Sequence, residues 1–291
     1  MQVKQLSTGE KVFRVISTLI LLLIIFVMLY PFWYVIVCSF SSLSHVQNTT
    51  FILWPDGLHL EAYQQVFRNE LGPTAYGNTL FITIVGTLMS MFLTILGAFV
   101  LSRKDLPGRN LLTFFVVFTM LFSGGLVPLY LQVRRLNLLN TLWSLILPVC
   151  ISTYNLIIMR NFFQGVPDAL YEAAVLDGAS VTTYLWRILL PLSTSAIATI
   201  TLFYAVDYWN AYYYALIFIT KKTVWPMQAL LRQIIMSSEL DFLMYDDGIQ
   251  NIASEMLKDA MIVVTALPII CVYPFLQRYF VKGVMVGSLK G

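Results

Sequence analysis

The densest run of chemically capable residues spans Gly165–Ser180 and reads Gly-Val-Pro-Asp-Ala-Leu-Tyr-Glu-Ala-Ala-Val-Leu-Asp-Gly-Ala-Ser. Pro167 suits the first turn of a helix, where its missing N–H costs nothing. Asp168 then meets the positive end of that helix. Ala169, Ala173 and Ala174 form a small-residue face that lets another surface come close, with the acids Glu172 and Asp177 beside it. Gly178 can adopt the left-handed conformation that ends a helix, and Ser180 can cap the next one, which runs through Val181–Leu190 to Pro191. The expected product is a short helix, a sharp turn and a second helix. Such an element either lies on a membrane surface as an amphipathic helix or is shaped to be gripped by a partner. The residues alone leave both open.

A second set combines aromatic rings with polar groups: Tyr204, Asp207, Tyr208, Trp209, Asn210 and Tyr212. Pyranose CH faces stack on aromatic rings, and hydroxyls bond to Asn, Tyr and Asp, so this is what a sugar path needs. The same residues at helical spacing also suit packing or an interfacial aromatic belt. Asp207 is the one acid inside a probable membrane span, a position that is functional by default, but it falls near the outer end of the span. Other chemistry is thinly supplied. Cys38, Cys150 and Cys271 lie far apart in apolar stretches, and His45 and His59 fit no metal-binding pattern, so no metal site is expected. No GxxxxGK[ST] phosphate loop is present. No His lies in any span, which argues against an intramembrane enzyme such as a protease.

The elements that must carry these groups follow from composition. The chain has 291 residues, 58% hydrophobic and only 11% charged, against about 25% charged in soluble domains. That excludes a soluble enzyme, a disulfide scaffold, a disordered chain and a coiled coil. The net charge of +3 is no nucleic-acid footprint. Six stretches free of Asp, Glu, Lys and Arg are long enough to cross a bilayer: Val15–Phe40, Leu80–Leu101, Leu111–Val133, Thr141–Met159, Ile188–Val206 and Ala260–Gln277. In hydrocarbon these should be helices. The first is too long for a typical signal peptide and is read as a retained span.

Lys and Arg set the orientation. With the N-terminus inside, the inner segments hold eleven cations, including Lys4, Lys11, Arg14, Arg103, Lys104 and Arg109, and the outer segments hold seven. Arg134 and Arg135, together in a short outer turn, run against the rule. The balance still puts both termini in the cytoplasm and the Gly165–Ser180 segment on the cytoplasmic side. Two long outer loops, about 41–79 and 221–259, contain Trp54, Tyr63, Trp225 and Tyr245, suited to interfacial anchoring or to an extracytoplasmic partner.

Glu172-Ala173-Ala174, then Asp177-Gly178-Ala179 and Ile188-Leu189-Leu190-Pro191, resemble the "EAA" signature of bacterial ABC-importer permeases. The tail, Gln277–Gly283 followed by Gly287-Ser288-Leu289-Lys290-Gly291, resembles the C-terminus of carbohydrate-uptake permeases related to the second maltose-transporter permease. Ser123–Pro128 and Ile157–Phe163 resemble a subgroup that imports oligosaccharides cut from polysaccharides. The resemblance covers nearly the whole chain. It implies an all-α membrane protein of the type I importer class: a cytoplasmic segment 1–14, a six-helix permease domain 15–282 with a coupling loop at 165–190, and a cytoplasmic tail 283–291. It implies a permease subunit, not an enzyme, in the bacterial cytoplasmic membrane. Partners would be a second permease, two ATPase subunits that bind ATP and Mg, and an extracytoplasmic solute-binding protein. Transport would follow alternating access.

In that family the loop docks into a cleft on the ATPase. Carried over, Glu172 pairs with an ATPase Arg, Ala173 and Ala174 make the close contact, Gly178 turns the chain, Asp177 braces the turn, and Ala179 completes the motif. Ser288, Leu289, Lys290 and Gly291 would reach between the ATPase subunits. Tyr171 departs from the aliphatic residue that many relatives have before the Glu. The subgroup leans toward fragments of acidic polysaccharides such as alginate or pectin. An ABC permease for a non-sugar solute is the alternative, since the EAA loop alone does not name the cargo.

Overall fold

The first charge-free run folds as a single helix, α1 (Thr8–Phe40), long enough at 1.5 Å per residue to cross a bilayer with turns to spare. None of its most apolar window is buried, so that stretch of the helix is offered to lipid or to another protein. The computed structural model describes residues 8–49, 51–68, 70–244 and 256–272. Among these the chain is all helix, turn and loop, and its contacts divide into two compact units: Met1–Arg68 with Ile234–Thr265, and Asn69–Gln233 with Ala266–Gly291.

In the first unit the loop after α1 is ordered by its own polar groups. Asp56 accepts hydrogen bonds from the backbone N–H and the hydroxyl of Ser42, the residue that caps α2 (Leu43–Asn48). These bonds hold the Asp56 carboxyl below the usual carboxylate range. Tyr63, on α3 (Glu61–Arg68), stacks on Phe40 at 4.9 Å and shares a 2.7 Å hydrogen bond with Ser39. Val37, Cys38 and Ile52 form a small buried core beneath it.

The second unit is built on α4 (Leu71–Ser102), which packs along α8 (Thr153–Gln164) and α11 (Thr194–Trp209). Its remaining helices are α5 (Arg109–Leu121), α6 (Leu126–Arg135), α7 (Trp143–Val149), α9 (Asp168–Leu176), α10 (Val181–Leu192) and α12 (Tyr213–Phe218). Then follow α13 (Met227–Met244) and α14 (256–272). The second span is one unbroken helix, but the third, fourth and fifth are each broken.

The third breaks between α5 and α6 with a bend of 109°, the fourth between α7 and α8 with 50°, and the fifth between α10 and α11 with 84°. Each break has a local cause. Gly125, at φ +86°, turns the chain where a side chain would be strained. Pro148 ends α7, and Ser152 caps α8 by accepting from the Asn155 N–H. Pro191 cannot donate to the preceding turn, and the helix before it widens into a π-turn over Leu185–Leu189. The last charge-free run is described only to residue 272, within α14.

Candidate functional site

The Gly165–Ser180 segment folds as the sequence indicates, with differences in which face points where. Pro167, with an extended ψ of 131°, stands at the N-cap of α9 rather than inside the first turn. Gly178 has φ +77°, and the helix closes with the Gly178 N–H on the Val175 carbonyl at 3.0 Å and the Ala179 N–H on Ala174 at 2.9 Å. Ser180 caps α10 by accepting from the Thr183 N–H at 3.2 Å. Two helices therefore meet at a fixed angle, with few free torsions between them.

The expected Ala face divides. Ala174 is only 6% exposed and packs in the chain's own core with Tyr184 and Leu185, so it is not available to a partner. Ala173 and Glu172 are exposed. Leu176, one turn beyond Glu172 on the same face, is 88% exposed. The outward surface of α9 is thus an acid beside an apolar knob, with Ala173 next to them. Leu176 went unread in the sequence because one apolar residue in an apolar helix carries no sign of its direction. Asp177 braces nothing with its side chain, which has no hydrogen bond or ion pair among the described residues. The turn is held instead by backbone bonds, including the Asp177 N–H on Ala173 at 3.0 Å.

Tyr171 has a definite task. The Arg103 guanidinium lies 3.5 Å over its ring, and Tyr184 meets it edge-on at 5.0 Å. Arg103 also holds Asp105 through two bonds of 3.1 and 3.2 Å, and that contact lowers the Asp105 pKa from its ordinary value. Lys104 pairs with Asp168 at 2.6 Å, on the first residue of α9. Exposed ion pairs are each worth little. Together with the ring contact, they tie the loop after α4 to α9. Between the two lies a groove of about 270 Å³, walled by Arg103, Lys104, Asp105, Asp168, Tyr171 and Glu172.

The aromatic set on the fifth span separates into two groups. Tyr204 and Tyr208 are both 2% exposed and brace the core. The Tyr204 hydroxyl shares a 2.7 Å hydrogen bond with Thr94 and accepts from the Ser152 N–H at 3.0 Å, satisfying a donor at the break in the fourth span. The Tyr208 hydroxyl bonds Ser90 at 2.8 Å and donates to the Ile146 carbonyl at 3.4 Å. Neither ring is free to stack on a sugar. Asn210 ends the helix, donates to the Val206 carbonyl and accepts from Gln228 at 3.0 Å. Because α11 stops at Trp209, Tyr212 does not continue the face of Tyr208. The ring of Tyr212 is 43% exposed beyond the turn.

Asp207 and Trp209 do reach open space. They border a pocket of about 860 Å³ bounded by α4, the start of α8, α11 and the part of α14 in this unit. Thr83 and Asn155 line it as well. Neither was singled out from sequence, because only ionisable and aromatic residues stood out in the spans. The signal available was a polar side chain in a charge-free run. Ser288, Leu289, Lys290 and Gly291 lie outside the described residues.

A continuous apolar helix, several broken apolar spans and a helix–turn–helix define a polytopic membrane protein. Residues 93–286 match the family of binding-protein-dependent transport system inner membrane components, and the chain belongs to that family. It is 44% identical to the polygalacturonan/rhamnogalacturonan transport system permease protein YtcP of Bacillus subtilis, across 93% of this chain and 96% of that one. It is also 44% identical to Protein LplC of the same organism, over 90% of this chain and 89% of that protein. Among solved structures it resembles a chain in the crystal structure of a bacterial ABC transporter involved in the import of the acidic polysaccharide alginate. That match has a TM-score of 0.86 and 31% identity, and covers 96% of this chain and all of the other.

Proposed function

We propose that this chain is one permease of an ATP-driven oligosaccharide importer and that ATPase subunits grip it by the outward face of α9. The observation that carries the reading is Glu172, exposed and without a partner among the described residues, on a short helix locked to α10 and to the loop after α4, with Leu176 exposed beside it. An anchored element with an unsatisfied surface transmits force, whereas a loosely tethered one absorbs it. The excess of Lys and Arg on one side supports a cytoplasmic position for α9 and both termini. A second permease would supply the other half of the path, and an extracytoplasmic binding protein would deliver the sugar. The relatives named for polygalacturonan, rhamnogalacturonan and alginate support polysaccharide fragments as cargo. ATP binding draws the coupling helices together and opens the path outward. Hydrolysis resets it.

The test is Glu172→Ala in the reconstituted complex. If Glu172 faces an Arg in a desolvated cleft, the variant leaves that cation unpaired at a cost of about 3–5 kcal/mol. Binding-protein-stimulated ATP hydrolysis should collapse while the permease still inserts in the membrane. Wild-type uptake by this variant would refute the assignment.

A further inference from the structure

Exposed cations gather at one corner of the second unit. Arg134 and Arg135 close α6, and Lys221 and Lys222 follow α12. The backbone between the two pairs is pinned. Asn137, at φ +56°, ends α6 with the Leu138 N–H on the Val133 carbonyl at 3.1 Å. Asn140 then donates its N–H to the Phe218 carbonyl at 3.0 Å. Its Oδ1 accepts from the Thr220 N–H, the Thr220 hydroxyl and the Lys221 N–H at 2.7, 2.9 and 3.1 Å. None of these cations makes an ion pair among the described residues.

α4 measures their depth. It ends at Ser102, next to Arg103 and Lys104, which hold α9. At 1.5 Å per residue, Phe81 lies about 32 Å and Asn78 about 36 Å from that end. The hydrocarbon of a bilayer is about 30 Å thick. Trp143, which is exposed and meets Phe81 edge-on, therefore stands in the belt where indoles sit between hydrocarbon and headgroups. Asn78 donates to the Thr223 and Trp225 carbonyls at 3.0 and 3.1 Å. That puts the Lys221–Lys222 turn at headgroup level, on the face of the bilayer opposite α9. The outward side of α6 suits the same boundary. Val127 and Leu131, both exposed and one turn apart, lead to Arg135 on the next turn, an apolar stem with a cationic end.

We propose that this corner binds the headgroup phosphate of an anionic phospholipid in the leaflet opposite α9, the outer leaflet when α9 is cytoplasmic. Arg134 and Arg135 offer paired N–H donors to phosphate oxygens, and Lys221 and Lys222 add point charge. Val127 and Leu131 meet the acyl chain below. The arginines that run against the usual distribution of Lys and Arg are thereby explained: they serve a lipid at the far face. The proposal holds whatever solute the complex carries.

The experiment uses the whole complex in phosphatidylcholine nanodiscs carrying a photoactivatable phosphatidylglycerol or, in parallel, a photoactivatable phosphatidylcholine. The phosphatidylglycerol probe should cross-link within residues 126–143 and 213–226 more strongly than the phosphatidylcholine probe. Unlabelled phosphatidylglycerol should displace it, and inorganic phosphate should not. Arg134→Gln with Arg135→Gln, and separately Lys221→Gln with Lys222→Gln, should weaken phosphatidylglycerol binding about fivefold for each cation removed. Arg134→Lys with Arg135→Lys should retain most of the binding, which separates loss of charge from loss of fold. The concentration of loaded binding protein that half-saturates ATP hydrolysis should be unchanged in the Gln variants. Equal cross-linking by the two lipids, displacement by inorganic phosphate, or undiminished phosphatidylglycerol binding in both Gln variants would overturn the proposal. So would Gln variants that keep the lipid and need more binding protein, which would give the corner to that protein instead.

Discussion

Gly86 sits inside α4 where the Tyr208 ring crosses it. A Cβ built at Gly86 would fall 2.7 Å from the ring Cζ and 2.8 Å from both Cε atoms, closer than carbon atoms pack. In an open helix, Gly→Ala stabilises by about 1 kcal/mol. Here the sign reverses, because the ring cannot yield cheaply. Tyr208 is 2% exposed and its hydroxyl is held by Ser90 and by the Ile146 carbonyl. Overpacking costs about 1–3 kcal/mol, and each hydrogen bond surrendered by a retreating ring adds about 1 kcal/mol. Set against the helix gain, Gly86→Ala should destabilise by about 1–4 kcal/mol. Thermal unfolding of the purified complex in detergent, followed by the loss of its monodisperse chromatographic peak, measures this. The decisive comparison is a mutant cycle. Adding Gly86→Ala to Tyr208→Leu should be neutral or stabilising, because the opposing ring is gone. Equal damage in both backgrounds would refute the close-approach argument.

Tyr204→Phe removes a partner from the Ser152 N–H and from Thr94, and should cost about 1–3 kcal/mol. Membrane levels should fall while sugar moved per ATP stays constant, and a changed ratio would return Tyr204 to the transport path. Leu176→Ser should weaken retention of the ATPase subunits on affinity-purified permease about tenfold, since it withdraws about 1.5–3 kcal/mol of apolar burial. Unchanged retention would mean that the knob does not enter the cleft. For topology, a single cysteine at Leu58, 81% exposed in the first unit, should react with an impermeant reagent applied outside intact cells, and one at Leu176 should not. The opposite pattern would invert the orientation drawn from Lys and Arg.

What could be read from the sequence, and what could not, separates by the kind of information each feature needs. Charge-free runs located the spans because solvation depends on composition. They could not show the breaks at Gly125, Ser152 and Ser193, because hydropathy averages over a window and a turn depends on single residues. The helix–turn–helix at Gly165–Ser180 was legible down to its Gly and Ser caps, since capping is local. Which alanine faces out was not, because that depends on what packs behind the helix.

The fifth-span aromatics show the same division. Tyr204 and Tyr208 are four residues apart, and so are Thr94, Ser90 and Gly86 on α4; Thr94 meets the Tyr204 hydroxyl, Ser90 the Tyr208 hydroxyl, and Gly86 makes room for the Tyr208 ring. Both spacings are visible in the sequence, but nothing in it says that these two helices touch. Once they are seen together, polar groups in the spans fall into two kinds. Tyr204 and Thr94 are spent on each other and on the backbone donor exposed by a broken helix, as a membrane interior demands. Asp207 is exposed, borders open space and pairs with no cation among the described residues. The open space beside the fifth span is therefore bordered by Asp207 and Trp209, not by the rings of Tyr204 and Tyr208.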